Sequence, residues 1–259
     1  MEKQRSFVEY VLRSGARTDV LLSLADDCNS TQELLDRGLA SESAVYNALT
    51  ELNDCGLIYV PRTKRWAPTG TGSVVATLIR RQRETENVLR IDTEYWKQHD
   101  VTALPVPFRF YLADLSDGTV VRATDTQPTQ AEREVERRLA ATDSAAVVAP
   151  IFNERYSEAF QDGCWDSRLV LDATVLADIL DDEEFEEQRD ENEGLDIRVA
   201  DVSFALGVMD GSLLLSLPTL DGSYDSRTEF VAESERACCW GERLFEQIWA
   251  DATPIDDHV

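Results

Sequence analysis

Residues 30–68 read STQELLDRGLASESAVYNALTELNDCGLIYVPRTKRWAP. Ser30, with Glu33 three residues on, forms a capping box, in which the hydroxyl and the carboxylate each accept a backbone N–H that the first helical turn leaves open. Leu34 and Leu35 give this short helix a buried side, and Gly38 ends it at the position where a left-handed residue is needed. Ser41 or Ser43 caps a second helix whose apolar face is Ala44, Val45, Ala48, Leu49 and Leu52, and Gly56 stops it. Leu57–Val60 has strand composition. Pro61 opens a turn, Arg62-Thr63-Lys64-Arg65 forms its tip, and Trp66-Ala67-Pro68 returns.

A helix, a tight turn, an amphipathic helix, a glycine stop and a basic-tipped ribbon, in that order, are the layout of a winged helix-turn-helix. In that fold the second helix enters the major groove while its apolar face stays against the first. The outward positions are then Ser41, Glu42, Ser43, Tyr46, Asn47 and Thr50. An Asn can make a bidentate contact with adenine, and Ser and Thr reach bases or phosphates. The candidate DNA-contacting residues are Ser41, Ser43, Tyr46, Asn47 and Thr50 on the helix and Arg62, Thr63, Lys64 and Arg65 on the wing. Glu42 and Glu51 oppose a phosphate.

Charge sharpens this reading. The 259 residues carry a net charge of −25, with only three lysines, Lys3, Lys64 and Lys97. Few lysines amid abundant Asp and Glu suggest a halophile, whose molar salt screens the self-repulsion. An ordinary acidic protein is the alternative. The charge is uneven: residues 1–99 sum to −1 and residues 100–259 to −24. No Asp or Glu occurs from residue 55 to residue 83, so the wing cations have no acidic sequence neighbour. Cations placed in this way suit phosphate contacts. A dimer would present about six of them, and at ~0.9 counterion released per phosphate a tenfold rise in salt weakens binding by ~10⁵. In a salty cell, direct contacts and shape fit must then carry the affinity.

Upstream, residues 4–14 and 17–26 read as helices. Downstream, residues 73–98 read as one longer helix that links the halves and pairs subunits, or packs on its own domain. After Pro105 and Pro107 helical and β-rich stretches alternate: Thr119–Ala123, helix Thr129–Ala141, Ala145–Ala149, helix Asn153–Gln161, Ser167–Leu171 and helix Thr174–Leu180. Then come Leu195–Val199 and a hairpin, Phe204–Met209 with Leu213–Leu217, joined through Asp210-Gly211-Ser212. A helix from about Glu233 to Ala250 closes the chain, and the acidic run Asp181–Glu193 reads as solvated. The expected fold class is α/β (α+β over the whole chain). Residues 1–72 form the winged helix, 73–99 the connector and dimerisation helix, and 100–259 an α/β domain with a mixed sheet.

Chemistry-bearing motifs are sparse. The five cysteines have no C-x-x-C or zinc-type spacing, and only His99 and His258 could add imidazole. Free thiols, no metal and no cofactor are expected. Gly70-Thr71-Gly72 precedes a helix but lacks the Lys-Ser/Thr of a phosphate loop. No nucleophile elbow or H-E-x-x-H is present, so an enzyme is not expected. No apolar run reaches the ~18–20 residues of a membrane span, and the first residues lack a secretory pattern, so a cytoplasmic protein with no membrane partner is expected. Asp221, Tyr224 and Asp225 after a strand, with Trp240 on the last helix, suit a small-ligand pocket. They equally suit a turn at Asp221-Gly222 and a core of Tyr224, Trp240 and Phe245.

The run Val45-Tyr46-Asn47-Ala48-Leu49-x-x-Leu52-x-x-x-Gly56-Leu57 resembles the archaeal winged-helix regulators of the TrmB and ArsR type. Gly222-x-Tyr224-Asp225 followed by Trp240-Gly241-Glu242-x-Leu244-Phe245 is similar to the sensor domain of archaeal regulators related to the methanogenesis and filament regulatory protein. The resemblance implies a dimeric transcription factor with an effector-sensing domain, and it carries the DNA contacts to Ser43, Tyr46, Asn47, Thr50 and the wing cations. The expectation is a homodimeric, sequence-specific regulator that binds double-stranded promoter or operator DNA under the control of a small-molecule metabolite. A winged helix that binds protein in a transcription-related assembly is the alternative.

Overall fold

The computed structural model describes residues 6–61, 65–153, 155–156, 167–179 and 195–257. The chain forms two compact units, Met1–Glu84 and Thr85–Val259.

The first unit holds α1 (Phe7–Leu12), α2 (Gly15–Ala25), α3 (Thr31–Asp36), α4 (Glu42–Asp54) and an antiparallel ribbon of β1 (Ile58–Tyr59) and β2 (Ala67–Pro68). It also takes in most of α5 (Gly70–Ile91). Serine N-caps, Ser6, Ser14, Ser30 and Ser41, start α1 to α4, each hydroxyl accepting the backbone N–H three residues on. The capping box forms with a shift, since the Glu33 carboxylate accepts from the Asn29 N–H at 3.1 Å. Gly38 and Gly56 follow the helix ends at φ +64° and +70°, where a side chain would be strained. Leu21, Leu34, Leu49, Leu52, Leu57 and Ile79 are buried together in one core. The returning strand is tied to the start of α3: Trp66 N–H donates to the Asn29 carbonyl at 2.8 Å, and its Nε1 to Thr31 Oγ1 at 3.3 Å.

The second unit is built on an eight-stranded mixed sheet. Its strands are β3 (Thr119–Arg122), β4 (Ala145–Ala149), β5 (Ser167–Asp172), β6 (Leu195–Ala200), β7 (Ala205–Met209), β8 (Ser212–Ser216), β9 (Thr228–Ala232) and β10 (Thr253–Pro254). The spatial order is β10-β6-β5-β4-β7-β8-β9-β3. β4, β5 and β6 run parallel, and all other pairs are antiparallel. The β7–β8 hairpin turns at Gly211, φ +72°.

Pleating sorts the side chains. One face presents Val148, Val170, Leu206, Val208, Leu213, Leu215 and Phe230 to a core shared with α10 (Glu235–Asp251), which buries Trp240, Leu244, Phe245 and Trp249. On the other, Ala145, Met209, Leu214 and Val231 pack with Leu139 and Val135 of α8 (Gln130–Leu139). At the β6 end Leu171, Ile197 and Val199 pack with Val175 and Leu176 of α9 (Ala173–Ile179).

The single helix expected over 73–98 is corrected. α5 begins at Gly70 and ends at Ile91, and a separate α6 (Thr93–Gln98) follows. Asp92 breaks the run because its carboxylate has two better uses. It caps α6 by accepting Tyr95 N–H at 2.9 Å, and it pairs with Arg122, Nη2 to Oδ1 2.7 Å and Nε to Oδ2 3.0 Å. Asp92→Ala removes both and is expected to destabilise this unit by about 1–2 kcal/mol. Asp92→Asn keeps the cap and should lose less; thermal melts of the two variants check this. Strands β9 and β10 and the short α7 (Val106–Arg109) were not expected from sequence. The expected helix 153–161 lies mostly outside the described residues, and the run 181–193 wholly so.

Candidate nucleic-acid interface and ligand cavity

Helix α4 sorts its residues as its periodicity requires: Val45, Ala48, Leu49 and Leu52 are buried, while Ser41, Ser43, Tyr46, Asn47 and Thr50 are exposed. The last four share one face at helical spacing, with Tyr46 51% exposed. A half-exposed aromatic beside an open amide is a surface able to meet a groove wall and a base edge together. Ser41 is the N-cap, so its oxygen already accepts Ala44 N–H at 3.4 Å, with Ser43 Oγ 3.3 Å away. Thr50 Oγ1 donates to the Tyr46 carbonyl at 3.0 Å, which leaves its lone pairs outward. Of the two opposing carboxylates, Glu51 is drawn to Arg17 at 3.2 Å, and Glu42 is exposed in the first turn. Arg65 is exposed on the ribbon. Arg62, Thr63 and Lys64 lie outside the described residues.

The four residues expected around a ligand do not converge. Trp240 is 0% exposed in the α10 core, its Nε1 donating to the Phe108 carbonyl at 3.3 Å. Asp221 is exposed and closes a turn, accepting from Thr219 Oγ1 at 2.5 Å and Ser223 N–H at 3.1 Å. Asp225 accepts from Thr228 Oγ1 (2.7 Å) and Arg227 N–H (2.9 Å) and sits 3.1 Å from Nε2 of buried His99. Burial pushes the Asp225 carboxyl up, but these partners outweigh it and hold it below the usual range. Tyr224 alone of the four lines a cavity.

That cavity, about 140 Å³, lies on the α8 side of the sheet. Gly207, Met209, Leu214, Val147 and Leu169 line it from the strands, with Val135, Leu139 and Tyr156. Gly207 sits mid-strand, where Met209 and Leu214 close over it: a Cβ there would stand 3.0 Å from Met209 Cε and 3.5 Å from Leu214 Cβ. One ionisable carboxyl joins this apolar wall: Glu229 of β9, 4% exposed. Ser216 Oγ donates to its Oε2 at 2.5 Å, and the Tyr224 hydroxyl lies beside the same serine. Burial pushes Glu229 up to about 8, against the pull of Ser216 and a backbone N–H, so it is protonated at neutral pH. Sequence reading missed Glu229, though a Glu inside the apolar run Thr228–Ala232 was a signal.

All of these lining residues fall in one span that a known domain matches. Residues 128–251 match the family described as Methanogenesis regulatory protein FilR1, middle domain. No curated protein matches the chain. Among solved structures, TrmBL2, an archaeal chromatin protein, aligns at 14% identity over 95% of this chain and 98% of its own, with a TM-score of 0.42. NucT from Helicobacter pylori aligns at 5% identity over 53% and 98%, TM-score 0.40. The O-methyltransferase NcsB1 of neocarzinostatin biosynthesis aligns at 12% identity over 76% and 68%, TM-score 0.25. Overlaps this loose carry no functional argument. The α/β unit is thus similar to a domain of a regulatory protein. Among the described residues no group of three or more His, Cys, Asp or Glu could hold a metal ion, and no helix is long and apolar enough to cross a membrane.

Proposed function

We propose that the chain is a sequence-specific DNA-binding transcriptional regulator controlled by a small-molecule effector through its α/β unit. The observation that carries this is the α4 surface: Ser43, Tyr46, Asn47 and Thr50 are presented together while the opposite face is buried. The FilR1-type match over residues 128–251 supports a regulatory role for the rest. In this reading residues 1–72 are a winged helix-turn-helix, 73–99 a connector through which two copies pair, and 100–259 the sensor. Asn47 reads a base, Tyr46 lies on the sugar-phosphate wall, Ser41, Ser43 and Thr50 add contacts, and Arg62, Thr63, Lys64 and Arg65 grip the backbone. The lysine-poor, strongly acidic composition fits a salt-rich cytoplasm, where affinity depends on direct contacts. The effector changes DNA affinity only by binding two states of the protein unequally.

Titration of a duplex from upstream of the protein's own gene, at several salt concentrations, tests this. Arg65→Ala should weaken binding to all duplexes and lower the slope of log affinity against log salt by ~1 per copy. Asn47→Ala should cost about 1–3 kcal/mol on the preferred duplex and little on random DNA. Loss of protein partners with unchanged DNA binding would instead favour an interaction module.

A further inference from the structure

The β-sheet cavity has a chemistry more particular than a generic effector pocket. Its wall is mostly apolar, with Asn153 and Tyr156 on it and, at one end, Glu229 and Tyr224 backed by Ser216. The charges bearing on that end are acidic: Asp225 and Glu134 act on Glu229, and Glu132 and Glu136 on Tyr156. Several of them have partners. Glu134 pairs with Arg137 and Arg138, Glu136 with Arg155, and Asp225 with His99. These arginines answer their own carboxylates, and none of Arg137, Arg138 or Arg155 lines the cavity. Among the described residues Glu229 has no salt-bridge partner, and Ser216 is its side-chain donor.

We propose that this cavity binds a small apolar amine, with Glu229 as the counter-ion of the ammonium group and the hydrocarbon body against Gly207, Leu214, Val147 and Leu169. Size agrees, since an apolar cavity of about 150 Å³ admits benzene. Charge agrees, since a buried carboxylate is stable only when paired, and an ammonium supplies the pair. A carboxylate ligand would find no Lys, Arg or His in the cavity lining to pair with. Binding is proton-balanced: the neutral carboxyl and the ammonium form an ion pair and one proton passes to the buffer. The inference deepens the effector reading and rests on it for regulatory meaning, but amine binding stands or falls by itself.

The test uses the full chain with benzylamine as probe and toluene, benzyl alcohol and benzoate as same-sized controls, measured by calorimetry and thermal shift. Benzylamine should bind best, and its affinity should rise about tenfold per pH unit from 6 toward 8 because one proton is released. Heats in phosphate and Tris should differ by that one proton. Glu229→Gln should remove the pH dependence and weaken benzylamine about tenfold or more while leaving toluene unchanged. Equal binding of toluene and benzylamine, preference for benzoate, or no binding of any probe overturns the proposal. Duplex binding measured on the same sample separates the two readings: amine binding without DNA binding sinks the regulator alone, and DNA binding without amine binding sinks this inference alone.

Discussion

Gly72→Ala is expected to unfold the N-terminal unit while the α/β unit still melts as a folded body. Gly72 lies in the first turn of α5, and a Cβ there would stand 1.8 Å from the carbonyl oxygen of Leu57. That oxygen cannot retreat: it accepts Thr69 N–H at 2.9 Å and Thr69 Oγ1 at 3.2 Å. Thr69 in turn caps α5 by accepting Gly72 N–H at 3.0 Å and donates to the Gly56 carbonyl at 2.8 Å. Moving Leu57 therefore disturbs the end of α4, the start of the ribbon and the cap of α5 together. Overpacking against backbone costs ~3 kcal/mol or more, a large share of the stability of a unit this size. Gly70→Ala is the control. Nothing lies within 4 Å of its Cβ position, so it should be neutral or slightly stabilising. Differential scanning calorimetry should show the first transition lost or shifted far down in Gly72→Ala only, and duplex binding lost with it.

The second large effect is a dependence of stability on pH that runs opposite to the usual one. Glu229 is raised to about 8 in the folded protein against 4.5 for the free side chain. Between those values the folded chain holds a proton that the unfolded chain has released, so stability falls as pH rises through this window. Below about 4.5 the contribution is complete; above about 8 the fold carries a buried carboxylate. Asp92, Asp117, Asp172 and Asp225 are held below their usual range. Their contribution is present above the unfolded carboxyl pKa and is lost as pH falls through their folded values. The α/β unit should therefore be most stable near pH 5. Glu229→Gln keeps an acceptor for Ser216 and removes the titration. At pH 7 it should gain on the order of 1–3 kcal/mol, after the cost of one added amide donor, and at pH 4.5, where that cost is all that remains, it should be no more stable than the parent. Melts of both proteins across pH 4–9 give the difference directly, free of the background from the other carboxylates.

How far the sequence could be read follows from how local each signal is. The first unit was legible because its punctuation is written in adjacent residues: Ser30 and Ser41 cap, Gly38 and Gly56 end helices at positive φ, and Val45 to Leu52 repeat at helical spacing. Gly70-Thr71-Gly72, which lacks the Lys-Ser/Thr of a phosphate loop, serves packing at Gly72. The break at Asp92 escaped because apolar residues lie on both sides of it, although Asp followed by Glu94 in the next first turn is a helix start. β9 escaped because Glu229 makes its five residues look half-solvated, when all five are buried. Most of the cavity wall could not be read from adjacent residues. Gly207, Leu214 and Glu229 come together only through the β7–β8 and β8–β9 registers, Gly207 opposite Leu214 and Leu215 opposite Phe230. Tyr224 lines that cavity, whereas Asp221, Asp225 and Trp240 belong to a turn, a histidine pair and a core.

The central claim, that the exposed face of α4 reads DNA sequence, is tested most directly by selecting duplexes from a random pool with the full-length protein and repeating the selection with Asn47→Ala. The expected pool is enriched in a two-fold-related motif with half-sites one helical turn apart, and the variant loses one adenine preference per half-site. A selected pool indistinguishable from the starting pool, or a motif unchanged by Asn47→Ala, would contradict it.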